Sequence, residues 1–276
     1  MPAKTPYLLP ESFRFGVEIE FMDTPLKTFA PIFNQQKSKY RHGVKCSLDG
    51  WDDVDSKYKH WQLIADYSVT EMDDSGDDVG GEIVSPILDV CKESFLEIAK
   101  TIKLVNNNDG RFGSETGYHI HVDLGDLDRL VFLAIWYEMS SDIYGIFPDR
   151  ANSHYSQSLI RVNPHGPDVP MINKVATLLL NNPGLIGEKY TDVHLYGEDD
   201  CRRAEIRCAQ MVDDYDLIIG WTKMVLQIVN YAHQFHDIFE LIDTRPSASI
   251  VYLNDHAPRV LKMTKNELHA IRTSDI

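Results

Sequence analysis

Three short stretches of this chain alternate strictly between apolar residues and residues that bind metals or anions, and this limits its fold more than any other feature. In Val17-Glu18-Ile19-Glu20-Phe21 two carboxylates are spaced two apart. In Tyr118-His119-Ile120-His121-Val122 the spaced pair is imidazole, and in Arg203-Ala204-Glu205-Ile206-Arg207 a carboxylate lies between two guanidinium groups. Successive side chains of a strand point to opposite faces, so each stretch reads as a strand with one core face and one chemical face. Glu82, in Gly80-Gly81-Glu82-Ile83-Val84-Ser85-Pro86, is a fourth candidate. Any half-exposed strand alternates, but a merely solvated face draws on Lys, Thr, Ser and Gln.

The surrounding pattern predicts strands over Arg14–Met22, Trp61–Val69, Gly81–Leu88, Gly117–Leu124, Tyr190–Tyr196 and Arg203–Gln210. Residues 71–79, acidic and containing Gly76, read as a hairpin loop. Helices are expected from an Asp89 N-cap to about Val105, over Asp126–Tyr144 and Ile172–Leu180, and from Asp214 to Phe239. In the last, Leu217, Trp221, Val225, Ile228 and Ala232 are expected in the core, and His233 and His236 at the surface. No repeat or linker divides the chain, so it reads as one domain over 1–276, with a core of 13–240 and an extension of 241–276. Strands joined by short turns or long helices, without a βαβ rhythm, indicate α+β: a mainly antiparallel curved sheet, polar on its concave face, with helices on the other.

Acidic residues number 42 against 27 basic, a net charge of −15, which excludes a broad basic nucleic-acid face. A hydrophobic fraction of 43% excludes overall disorder. The start lacks a signal-peptide core, the longest apolar run is Leu130–Tyr137, and Cys46, Cys91, Cys201 and Cys208 form no CxxC pair. A soluble, cytoplasmic protein with reduced thiols is expected.

Carboxylates and imidazoles on one face make a site for hard divalent cations. Carboxylates suit Mg²⁺ or Mn²⁺, and histidine leans the choice toward Mn²⁺ or Zn²⁺. The neighbouring arginines suit a phosphate held bidentately. Together these groups describe phosphoryl-transfer chemistry.

The segments GVEIEF (16–21), GGEIVSPIL (80–88), GYHIHVD (117–123) and RRAEIR (202–207), in that order, resemble the amidoligase family of the glutamine synthetase-like carboxylate–amine ligase superfamily. The resemblance implies a glutamine synthetase-like catalytic sheet that binds ATP and two or three Mg²⁺ or Mn²⁺ ions. It makes Glu18, Glu20, Glu82, His119 and Glu205 metal ligands, His121 a nucleotide-phosphate contact, and Arg203 and Arg207 phosphate-binding arginines. The chain lacks the separate N-terminal β domain of true glutamine synthetases, so their substrate residues do not carry over.

The expected reaction passes the γ-phosphoryl of ATP to a carboxylate, after which an amine displaces phosphate and leaves an amide. Its partners would be small-molecule or peptide acids and amines, with no membrane involved. A metal-dependent hydrolase built on the same Glu/His cluster, a related phosphotransferase and a non-enzymatic binding module are the alternatives. The arginines weigh against the hydrolase, which needs no triphosphate clamp.

Asp66 could orient the amine or accept its proton, or be structural. Arg111, Arg150 and Arg161 could bind the carboxylate or nucleotide, but each is expected at the surface; Tyr155 and Asn163 are similar candidates. An EF-hand reading of the 71–82 region fails at its first position, where Glu71 replaces Asp, and its flanks read as strands. By alternation Cys208 faces the apolar side, as a buried structural thiol. No P-loop, GxGxxG, GxSxG or HExxH motif is present.

Overall fold

The computed structural model describes residues 13–47, 58–66, 68–69, 71–72, 76, 78–152, 156, 191–196, 202–238 and 240–241. Arg161, Tyr155, Asn163, Cys201, the 172–180 helix and the chain beyond 241 lie outside them. Two compact units are present: an N-terminal one of 14–121 with 209–218, and a C-terminal one of 122–208 and 219–276 with 1–13. The architecture is mixed, with an open, mostly antiparallel sheet and helices.

In the N-terminal unit, β1 (Arg14–Pro25), β2 (Val44–Ser47), β3 (Trp61–Ile64), β5 (Asp78–Val84) and β7 (Gly117–Asp123) lie in the order β2-β3-β5-β1-β7. Two short strands add to this path, β4 (Glu71–Met72) on β5 and β6 (Leu88–Asp89) on β1. β1 runs antiparallel to β5 with Glu20 opposite Glu82, and β5 antiparallel to β3 with Glu82 opposite Ile64. Residues directly opposite in a ladder share a face, so Glu18, Glu20, Glu82 and Gln62 stand on one side. Val17, Ile19, Phe21, Leu63 and Ile83 stand on the other, fully buried. Helices α1 (Leu26–Gln35) and α2 (Lys92–Asn106) cover that apolar side: Phe29 meets Phe21 at 5.4 Å between ring centroids, and Phe95 meets Phe15 at 5.9 Å.

Gly80 lets β5 pass close between its neighbours. Its φ is +81°, and a Cβ there would lie 2.8 Å from the carbonyl oxygens of both Phe21 and Val69. Both demands exclude a side chain.

In the C-terminal unit, β8 (Val193–Leu195) pairs antiparallel with β9 (Arg203–Gln210), placing His194 opposite Glu205. Helix α3 (Arg129–Ile146) is capped by Asp128, whose side chain accepts from the Leu130 N–H at 2.9 Å. Trp136 and Phe147 pack edge-on against Trp221 of α4 (Tyr215–Ala232).

Several expectations are corrected. The Trp61–Val69 strand stops at Ile64, because Asp66 opens a turn in which its carboxylate accepts from the Ser68 N–H and its carbonyl from the Val69 N–H. The Gly81–Leu88 strand breaks around Pro86 into β5 and β6, since proline lacks the ladder donor. The 71–79 loop begins and ends in paired strand, Glu71 opposite Val79. Asp89 caps no helix. It pairs in β6 with Arg14 and forms ion pairs with Arg14 at 3.1 Å and Arg41 at 3.3 Å, while α2 starts after Cys91. The last helix ends at Ala232, and Leu217 is exposed rather than in its core. His236 is exposed as expected, whereas His233 is half-buried against the Phe13 ring. Among the described residues no helix is long and apolar enough to cross a membrane.

Candidate metal and phosphate site

The N-terminal unit brings together six of the candidate residues. Oε2 of Glu18 lies 2.9 Å from Nδ1 of His119, and Oε1 lies 2.6 Å from Nε2 of His121, so one carboxylate bridges both imidazoles. Nε2 of His119 is 3.4 Å from Oε1 of Glu20, and the other oxygen of Glu20 accepts from the backbone N–H of Gly117. His119 thus faces a carboxylate from each ring nitrogen. Glu82 completes the group across the ladder from Glu20. Glu20, Glu82 and His119 are buried, whereas Glu18 retains 20% side-chain exposure, leaving the cluster an open side.

The electrostatics split the carboxylates. Burial alone would raise the Glu18 carboxyl, but the His121 charge and hydrogen bonds from both histidines hold it well below the usual range. Burial pushes Glu82 well above that range, and the charges of Glu18, Asp66 and Glu20 push it the same way, as does a hydrogen bond with Asp66. Asp66 therefore belongs to this cluster, reaching it from the turn after β3 rather than from a strand.

The C-terminal unit brings together the other three. Arg207 is paired with Oε1 of Glu205, and the Tyr196 hydroxyl donates to Oε2 of Glu205 at 2.6 Å. The guanidinium of Arg203 lies 3.9 Å over the ring of Tyr196, which in turn packs on His194 at 4.4 Å. Behind them, the backbone N–H of Arg207 donates to the Asp192 carbonyl at 2.9 Å, and its carbonyl accepts from Nη2 of Arg150 at 3.3 Å. Arg150 was expected at the surface but is 1% exposed, held where it supports the backbone of β9. Cys208 is buried as expected. Burial pushes its thiol up, with Asp192 adding to the rise and Arg150 opposing it. Arg111 is solvated as expected, in an exposed ion pair with Asp23 at 2.6 Å.

The sequence reading missed Gly117, Tyr196 and Asp192. His194 and Tyr196 share a face of the expected Tyr190–Tyr196 strand, so the same alternation could have found Tyr196. Gly117 and Asp192 act through the backbone or from a turn and leave no such pattern.

Both histidines and three of the four glutamates expected on the chemical face lie within a stretch that a known family shares. Residues 11–144 match the family model described as "Putative amidoligase enzyme". This segment is similar to the amidoligases. The match spans just under half of the chain and bears out the resemblance carried by GVEIEF, GGEIVSPIL and GYHIHVD. RRAEIR lies beyond it. No curated protein sequence matches the chain. The family's description indicates an enzyme of ligase type.

Proposed function

We propose that this protein is an ATP-dependent carboxylate–amine ligase that forms an amide through an acyl phosphate. The observation that carries this reading is the Glu18 carboxylate bridging His119 and His121 beside Glu20 and Glu82, inside the segment similar to the amidoligases. A face of carboxylates with two imidazoles suits Mg²⁺ or Mn²⁺. Glu18, Glu20, Glu82 and His119 would hold such ions, His121 would contact nucleotide phosphate, and Glu205 would be a further ligand. Bound divalent cations would neutralise the ATP phosphates during transfer.

The protein's own groups divide the remaining work. Arg203 and Arg207 offer two guanidinium groups to the charge that develops on the transferred phosphoryl group. Asp66, which shares a hydrogen bond with Glu82, would orient the incoming amine or accept its proton. Substrates would be small-molecule or peptide acids and amines.

The deciding experiment is ADP release with Mg²⁺ or Mn²⁺ across pooled acids and amines, followed by the mass of the product. An amide product formed with stoichiometric ADP and phosphate is expected. Glu18→Ala should lose orders of magnitude in rate, and ADP made by that variant at the normal rate would overturn the assignment. Metal binding without nucleotide binding would favour the hydrolase.

A further inference from the structure

Glu205 and Arg207 are 2% and 6% exposed, and their charges meet on one face of β9. Both carboxylate oxygens of Glu205 have a partner, Arg207 on Oε1 and the Tyr196 hydroxyl on Oε2. Tyr196 also carries Arg203 over its ring. Arg203, Tyr196, Glu205 and Arg207 therefore form a continuous chain of contacts.

We infer that this chain couples oxyanion binding to metal binding: an oxyanion drawing Arg207 away frees Glu205 for a divalent cation, and each ligand tightens the other. The inference rests on the reading of Glu205 as a metal ligand and of Arg207 as a phosphate contact. A divalent cation at Oε1 must compete with a guanidinium already there, in a buried setting where like charges repel strongly. An oxyanion at Arg207 must compete with the Glu205 carboxylate for the same reason. Whichever ligand binds first removes the other's competitor. Linkage requires the two effects to be equal in size.

The backbone shows which part moves. The N–H of Arg207 is held by the Asp192 carbonyl, itself on a residue whose side chain takes the Trp136 indole N–H at 3.2 Å. The carbonyl of Arg207 is held by the buried Arg150. With both backbone groups anchored, exchange between carboxylate and oxyanion falls to the Arg207 side chain as a rotamer change. Arg203, two turns of the pleat away on the same face, can leave the Tyr196 ring to meet the same oxyanion.

The test is a Mn²⁺ titration read by the electron paramagnetic resonance of the free ion, with chloride replaced by sulfate at constant ionic strength. Sulfate stands in for phosphate while leaving Mn²⁺ in solution. Sulfate should tighten Mn²⁺ binding to the wild type about tenfold, within the usual range of coupling between sites. Arg207→Met should bind Mn²⁺ tightly without sulfate and gain nothing from it. Glu205→Gln should bind sulfate more tightly than the wild type and lose the coupling. Arg207→Lys, which keeps the charge, should retain it, and decides the matter together with Glu205→Gln if Arg207→Met does not fold. Unchanged or weaker Mn²⁺ binding in sulfate, or full coupling in Glu205→Gln, would overturn the inference alone. A wild type that binds no Mn²⁺ overturns the metal reading and the inference with it.

Discussion

Gly117 and His119 stand two residues apart on β7 with no space for a further atom between them. A Cβ on Gly117 would lie 2.5 Å from Nε2 of His119 and 3.0 Å from Oε2 of Glu20. The obstructing atoms are the ends of side chains, so Gly117→Ala should fold and turn His119 aside. Groups that orient a ligand are worth about 10- to 100-fold in metal affinity. A loss of that size in Mn²⁺ affinity is expected, with a melting temperature near that of the wild type. Calorimetric titration beside a thermal melt checks both, and unchanged affinity would show that His119 takes no part in binding.

Glu18 holds both histidines of the site with its one carboxylate. Ligands that bind only the native state raise stability by about 2.7 kcal/mol at a concentration 100 times Kd. Mn²⁺ should therefore raise the melting temperature of the wild type by several degrees, and EDTA should reverse the rise. In Glu18→Ala the rise should vanish. A full Mn²⁺ shift in that variant would place the ion elsewhere.

Glu82 makes a prediction about pH. Its carboxyl is raised in the folded protein, so the native state holds a proton that the unfolded chain releases near pH 4.3. Stability from this group is complete below that pH and is lost as pH rises through the folded value. Glu18, held low, acts in the opposite direction and only in more acid solution, where its stabilisation is lost as pH falls through its folded value. In EDTA, the melting temperature of the wild type should fall relative to Glu82→Gln as pH rises above about 4.3. Parallel melting curves from pH 4 to 8 would refute the shift.

Glu97 tests the fold apart from the site. It is 4% exposed on α2, where one oxygen accepts the Trp61 indole N–H at 3.0 Å and the other the backbone N–H of Arg41. Each buried donor left without a partner costs about 1–3 kcal/mol. Glu97→Ala should thus lose about 3 kcal/mol by denaturant unfolding, and Glu97→Gln, which keeps an acceptor, about half of that. A neutral Glu97→Ala would mean that water replaces the carboxylate.

The strands bearing chemistry were the most legible part of the chain. β9 matches its expected limits, and β1 and β7 are each found, because a period of two survives any tertiary setting. Helix α1 was not read at all. It carries Leu26, Phe29, Ala30 and Phe33 at helical spacing, but Pro25 before it and Pro31 within it argue against a helix. β2 was missed because it pairs parallel with β3 across an intervening stretch, and nothing local encodes such a partner. At the site, the glutamates, histidines and arginines were legible by type and spacing. The burial of Arg150 was not, since a lone arginine carries no mark of the carbonyl it will hold.

Cys208 adjoins Arg207 and is buried, and both burial and Asp192 hold back its thiolate. A sulfhydryl reagent can reach it only when β9 detaches locally, whereas Cys46 and Cys91 are half-buried. The thiol is therefore a clock built into the strand that presents the arginines. Its rate of modification counts how often that strand opens, and slower ticking upon adding a compound would report that the strand had been gripped, before any product is known.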